Sequence, residues 1–226
     1  ILKMGQNQAP ELPDVEYLCN QIAQICHINV APFYLITLNH EHVFVTQNFI
    51  QPELGDDLQH IYHFRANDMH SCEDLIKIII DKTKNPVHVD TFIKTILFDA
   101  LIMNHDRHGK NLAFIARQGA YYLSPIYDNV SCLSLQMGEW LKMDFDMRGK
   151  IATQATNTPN MSDYVIELIR LGYKEQVNKF YTHLKGMGGT QIIHCIDQSF
   201  CSILMKEAIK KIITKRFTEL ENALSA

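Results

Sequence analysis

The stretch that most limits how this chain can fold runs from Leu101 to Ser131, LIMNHDRHGKNLAFIARQGAYYLSPIYDNVS. An apolar helix gives out at Met103 or Asn104. A polar, charged loop follows, Asn104-His105-Asp106-Arg107-His108-Gly109-Lys110-Asn111. Two short apolar runs come next, Leu112 to Ile115 and Tyr121 to Leu123, split by Gln118-Gly119. Short runs on either side of a glycine-bearing turn read as a β-hairpin. Asn111 then stands at the start of the first strand and Asp128 just past the end of the second. A hairpin brings those ends together, with Asp106, around one small space.

That set of groups suits phosphoryl transfer. One carboxylate orients the attacking hydroxyl, and a pair of oxygens holds Mg²⁺ on the phosphates. Asp106 and Asn111 are separated as in the kinase catalytic loop H-R-D-x-x-x-x-N, and Asp128 takes the place of the metal-binding Asp of D-F-G. On this reading Asp106 orients or deprotonates the acceptor hydroxyl, while Asn111 and Asp128 hold Mg²⁺. His108 fixes the loop by hydrogen bonding. Lys110 and Arg107 face the γ-phosphate or the substrate, or are surface charges; Lys110 is favoured for the active role because it adjoins Asn111.

The pieces N-H-D-R-H-G-K-N and S-P-I-Y-D-N-V-S resemble the catalytic and metal-binding motifs of HipA-like serine/threonine kinases, the bacterial toxin kinases. The D-R-H-x-x-N core is also similar to phosphatidylinositol 3/4-kinases. The likeness runs from Lys3 to about Ser131. It implies an α+β, protein-kinase-like fold of two lobes, with a partial β-rich N-lobe over residues 1–50 and a mainly helical C-lobe over residues 51–226. It implies ATP and Mg²⁺ as cofactors, and a protein substrate such as a translation factor or an aminoacyl-tRNA synthetase. An antitoxin, or a small N-terminal partner, is the further partner it implies. In such kinases a strand lysine holds the nucleotide phosphates and a helix of the type N-E-x-x-C follows. Ile1-Leu2-Lys3 and Val15-Glu16-Tyr17-Leu18-Cys19 match that order, so Lys3 is the expected phosphate ligand. Glu16 either pairs with it or is an acidic residue favoured by a helix N-terminus. By the same resemblance Gln47, Asn48 and Phe49 are the hinge whose backbone meets the adenine edge. HipA has an acidic-basic-aromatic triplet there, and only the aromatic is kept here. The family also sets a glycine- or serine-bearing phosphate loop before the lysine strand. This sequence opens at that strand, so the loop is expected in an N-terminal segment or on a separate small partner, the alternative being a nucleotide-free protein.

Composition removes other classes. The 226 residues are 46% hydrophobic and 20% charged, as in ordinary globular proteins. A net charge of −4 offers no basic field for nucleic acid. It also speaks against a lipid kinase, which wants a basic membrane-facing surface. No apolar run is long enough to span a membrane, and no signal peptide opens the chain. Cys19, Cys26, Cys72, Cys132, Cys195 and Cys201 form no C-x-x-C pair and read as reduced thiols in the cytoplasm. A pseudokinase or binding module is the non-enzymatic alternative, and the retained Asp106, Asn111 and Asp128 count against it.

The rest of the chain reads as follows. Asp14 caps a helix to about His27, with Val15, Leu18, Ile22 and Ile25 on its buried face. Val30 to Leu38 and Glu41 to Phe49 form a hairpin turning at Asn39-His40. Pro52 to Asp68 is loop, and His60, His63 and His70 match no metal-ligand spacing. Ser71 with Asp74 starts a helix to about Lys82. Asn85-Pro86 breaks it, and Asp90 caps the next, Thr91 to Met103. Leu133 to Asn160, with Trp140, is a substrate-facing loop or irregular packing. Helices follow over Ser162–Leu171, Tyr173–Lys185, Thr190 to Phe200 and Ile203–Leu224, the last with a basic solvated face.

Overall fold

Three strands and one helix build the smaller lobe in this computed structural model, which describes residues 1–64 and 70–225. Strand β1 is Leu2–Met4, β2 is Phe33–Leu38 and β3 is Glu41–Thr46. They form an antiparallel sheet in the order β1-β3-β2, with Lys3 opposite Phe44 and Leu38 opposite Glu41. The two-residue turn is the one expected: Asn39 and His40 have φ of 50° and 67°, the left-handed pair that a tight hairpin requires. One face, with Phe33 and Phe44, packs towards helix α1, Leu12–Ile25. On the other face Leu2, Met4, Tyr34 and Ile36 are exposed.

Helix α1 begins earlier than expected. Pro13 lies in its first turn, where a fixed φ suits the helix and a missing N–H costs nothing. Glu11 is therefore the cap position, and Asp14 lies inside the first turn, with Oδ1 2.6 Å from His42 Nδ1. Val15, Leu18 and Ile22 are fully buried, and Ile25 packs against the same core.

The larger lobe is mainly helical. Helix α2, Cys72–Thr83, is capped as expected: Ser71 Oγ accepts from the Asp74 N–H at 3.1 Å. Helix α3, Pro86–Ile102, starts more than a turn before the expected Thr91. Asn85 is the cap, its Oδ1 accepting from the Val87 N–H at 3.0 Å, and Pro86 takes the first helical position. Asp90 thus lies within the helix. Phe92, Ile93, Ile96, Leu97, Phe98 and Leu101 are all buried, which makes α3 the central helix of the core. Helices α4 (Met161–Arg170), α5 (Lys174–His183), α6 (Gly189–Gln198) and α7 (Ile203–Ser225) follow, and α4, α5 and α7 pack on α3. No described helix is long and apolar enough to cross a membrane.

A second antiparallel sheet follows the polar loop of residues 104–111. Its hairpin is β5, Ala113–Arg117, and β6, Ala120–Leu123, turning at Gln118-Gly119 as expected. A further strand, β4 (Asp57–His60), pairs with β5 and corrects the reading of Pro52–Asp68 as loop. Asp-Leu-Gln-His has no apolar alternation to reveal a strand. It is placed by its partner and by Arg117, whose guanidinium holds Asp56 at 2.6 and 2.9 Å. The end of that expected loop, residues 65–68, lies outside the described residues.

Between residues 132 and 160 the chain makes two short 3-10 turns, Cys132–Leu135 and Gly138–Lys142, with Trp140 exposed. The basic face of α7 is not wholly solvated. Arg216 is 1% exposed, bonded to Glu219, Asp146 Oδ1 and the Met147 carbonyl, so the helix clamps this segment. All six cysteines are free and five are buried; burial pushes the Cys26 thiol up to about 12.

Candidate active site

The site is organised by Arg107, which is 2% exposed. Helix α3 ends with Met103 in the left-handed conformation, φ 58°, and the chain turns into the polar loop. Arg107 then reaches back to Asp99 on α3, donating from Nε to Oδ2 at 2.8 Å and from Nη2 to Oδ1 at 3.0 Å. Its Nη1 donates to the carbonyls of Asn111 at 3.1 Å and Tyr127 at 2.8 Å. Its Nη2 also donates to Asn129 Oδ1 at 2.5 Å. Asn129 Nδ2 donates to Asn20 Oδ1 at 2.9 Å, and Asn20 Nδ2 to the Glu16 carbonyl at 2.8 Å. One guanidinium therefore ties α3, both loops and, through two asparagines, α1. Neither phosphate nor substrate can reach it, which corrects the reading of Arg107 as a group facing them.

Around this hub stand the expected site residues. Lys3 Nζ lies 2.8 Å from Glu16 Oε1 and 2.5 Å from Asp128 Oδ1. Of the two readings left open for Glu16, the geometry supports pairing. Burial raises the Glu16 carboxyl above its usual range against the opposing charge of Lys3; Glu16 Oε2 is buried without a partner. Burial disfavours the Lys3 ammonium, but Glu16 and Asp128 outweigh it and raise its pKa. Asp128 has φ of 52°. Its segment is stitched to the smaller lobe: the Ile126 N–H donates to the Asn29 carbonyl and the Ala31 N–H to that of Ile126, both at 2.9 Å.

Gln47, Asn48 and Phe49 line a cavity of about 440 Å³, shared with Ile1, Leu58, His60, Tyr127 and Asp128. The Phe49 and Tyr127 rings are 5.9 Å apart. The Tyr127 hydroxyl donates to the Lys110 carbonyl and lies 3.2 Å from His60 Nδ1. Burial pushes that hydroxyl's pKa up to about 12.

Asp106 and Asn111 meet directly, the Asn111 Nδ2 donating to the Asp106 carbonyl at 3.0 Å. Among the described residues, Asn111 Oδ1 and Asp128 Oδ2 have no hydrogen-bond partner, and no three His, Cys, Asp or Glu side chains converge as a metal site. Two hard oxygens from the protein, completed by those of a phosphate chain, fit Mg²⁺ better than a softer cation. His108 braces the loop, its Nδ1 accepting from the Lys110 N–H at 3.1 Å. Gly109 lies against His70, where a Cβ would come within 2.5 Å of the ring. Lys110 is not brought to Asp106; its ammonium lies 5.9 Å from the centre of the Tyr62 ring. The cation that does meet Asp106 is Lys150, with Nζ 2.5 Å from Oδ1, and nothing in its aperiodic surroundings marked it in the sequence. Burial pushes the Asp106 carboxyl up, but Lys150, His108 and His105 pull harder and leave it below its usual range.

The family description HipA-like C-terminal domain matches residues 1–217. The chain belongs to this family. Among solved structures, this HipA-like domain is similar to the Helicobacter pylori proinflammatory kinase CtkA, at 18% identity and a TM-score of 0.78, over 99% of this chain and 88% of that one. It is also similar to HipA of Shewanella oneidensis MR-1, from a toxin–antitoxin complex of HipA, HipB and operator DNA, at 16% identity and a TM-score of 0.67. That match covers 99% of this chain and 58% of that one. At such identities the likeness is one of fold, and the fold is the α+β, kinase-like one expected. No curated protein matches the sequence.

Proposed function

We propose that this HipA-like domain is an ATP- and Mg²⁺-dependent protein serine/threonine kinase. The observation that carries the reading is the position of Lys3, held between Glu16 and Asp128 beside the cavity that Gln47, Asn48 and Phe49 line. Lys3 neutralises nucleotide phosphates and Glu16 aims it. The 47–49 backbone meets the adenine edge. Asn111 and Asp128 hold Mg²⁺, which when bound supplies charge neutralisation to the phosphates. Asp106 orients the acceptor hydroxyl and takes its proton, while His108 and Lys110 shape the loop and its acceptor side. Residues 1–50 act as the N-lobe and 51–226 as the C-lobe. Most of the catalysis in such a site is positioning and charge stabilisation.

The acceptor is proposed to be a protein, in the class of a translation factor or an aminoacyl-tRNA synthetase, met in the cytoplasm. Kinship to a HipA found with HipB supports an antitoxin partner. The test is thermal stability with and without Mg-ATP, in the wild type and in Asp128→Asn, followed by transfer of labelled phosphate to casein or to phosphatidylinositol vesicles. Ligand at a hundred times its dissociation constant adds about 2.7 kcal/mol. The expected result is a Mg²⁺-dependent rise lost in Asp128→Asn, with label on casein. Label on the vesicles instead would identify a lipid kinase, and neither rise nor transfer would leave a binding module.

A further inference from the structure

We propose that Lys150 is a catalytic residue of the transfer reaction: one ammonium N–H holds the Asp106 carboxylate and another meets the transferring phosphoryl group. This rests on the phosphoryl-transfer reading above and adds to it a residue from outside both motifs.

The geometry is that of a presented group. A lysine on a loose surface segment gains little from a carboxylate, because ordering both side chains offsets the attraction. Lys150 is different, because its backbone is anchored on both sides. The Gly149 N–H donates to the Pro159 carbonyl at 2.8 Å. Gly149 also lies so close to α4 that a Cβ would come within 2.1 Å of the Tyr164 hydroxyl. On the other side Ile151 is buried, and Ala152 is bonded to the start of α2, donating to the His70 carbonyl and accepting from the Cys72 N–H, both at 2.8 Å. The side chain between these anchors is half exposed, as is Asp106, so the pair faces an approaching molecule.

The valences allow a shared role. Lys150 uses Oδ1 of Asp106; Oδ2 has no hydrogen-bond partner among the described residues and is open to an acceptor hydroxyl. An ammonium has three donors, and one is used here. The other cations nearby are committed or weaker. Lys3 is on Asp128, Arg107 is buried in the hub, Lys110 lies over Tyr62, and His108 Nε2 is 3.8 Å from Asp106. Lys3 thus serves the nucleotide side and Lys150 the acceptor side. In the step itself the acceptor oxygen bonds to the γ-phosphorus as the bond from that phosphorus to the β,γ-bridging oxygen breaks. The bridging oxygen keeps the electron pair and departs on ADP, and the hydroxyl proton passes to Asp106 Oδ2. Charge spread over the outer phosphoryl oxygens meets a cation already in position, which is where fixed charge helps most.

The test compares the full chain with Lys150→Gln and Lys150→Arg, reading kcat and KM for ATP with casein as acceptor, and the stability gained from Mg-ATP. Both variants should melt with the wild type. Lys150→Gln should lose about 10²-fold in kcat, with KM for ATP and the Mg-ATP stabilisation unchanged, and Lys150→Arg should recover part of the loss. An active wild type with Lys150→Gln equal to it in kcat would overturn the proposal. So would a raised KM at unchanged kcat, the mark of a group that merely binds nucleotide, or an Arg variant no better than Gln. A wild type that neither gains stability from Mg-ATP nor labels casein would overturn the kinase reading, and this proposal with it.

Discussion

Asp106 and Arg107 are neighbours in the chain and opposites in their surroundings. Arg107 is buried against Asp99 and makes five hydrogen bonds to protein groups. Asp106 is half exposed, with one oxygen on Lys150 and the other without a hydrogen-bond partner among the described residues. The contrast teaches how one loop can be both rigid and reactive. Arg107 supplies the positioning, so its neighbour, to which we assign the chemistry, can keep an open valence.

The comparison is broken most forcefully at Arg107. Arg107→Met leaves the buried Asp99 carboxylate without its opposite charge, keeping only the hydrogen bond from Asn104 Nδ2, and should cost about 3–5 kcal/mol in urea unfolding. A variant as stable as the wild type would show that the hub does not hold the loop. Asn129→Ala, which cuts the link from Arg107 to Asn20 and α1, should cost about 1–3 kcal/mol and weaken the response to Mg-ATP. For Asp106 and Lys150 a double-mutant cycle should give a coupling of only about 0.2–1 kcal/mol, falling further in high salt. A coupling there as large as the Arg107 effect would erase the distinction between hub and rim.

Acid sharpens the same contrast at the segment clamped by α7. Burial pushes the Asp146 carboxyl up, but hydrogen bonds from Arg216 and Arg148 win and hold it below its usual value. Its contribution to stability is therefore present above the unfolded value of about 3.9 and is lost as pH falls through the lower folded one. Asp146→Asn should lose less stability than the wild type on acidification from about pH 5 to pH 3, measured as the shift in melting midpoint.

Local patterns made much of this legible. Asn39-His40 and Gln118-Gly119 turn their hairpins because short polar or glycine-bearing pairs tolerate positive φ. Helices α4 to α7 carry their own period. Lys3, Glu16 and Asp128 were recognised from motif order, and the structure brings them together. What stayed hidden depends on partners distant in sequence. Strand β4 owes its existence to β5. The burial of Arg107 follows from Asp99, Asn129 and the packing of α3, and a charged residue in a charged loop gives no sign of it. Lys150 stands in a segment without period, aimed by contacts to α2 and α4. The sequence points to Asp90 as the α3 cap while the structure uses Asn85, because both are acceptable caps and Pro86 favours the first turn.

The link from Asn129 to Asn20 spans 109 positions, and that from Asp128 to Lys3 spans 125. Contacts this remote close only after the intervening chain has found its place, and they set the pace of folding more than local ones do. During synthesis Lys3 meets Glu16 early, but its second partner, Asp128, is made 125 positions later. The proposed nucleotide site should therefore be completed in one late step, and a partly folded chain should lack it.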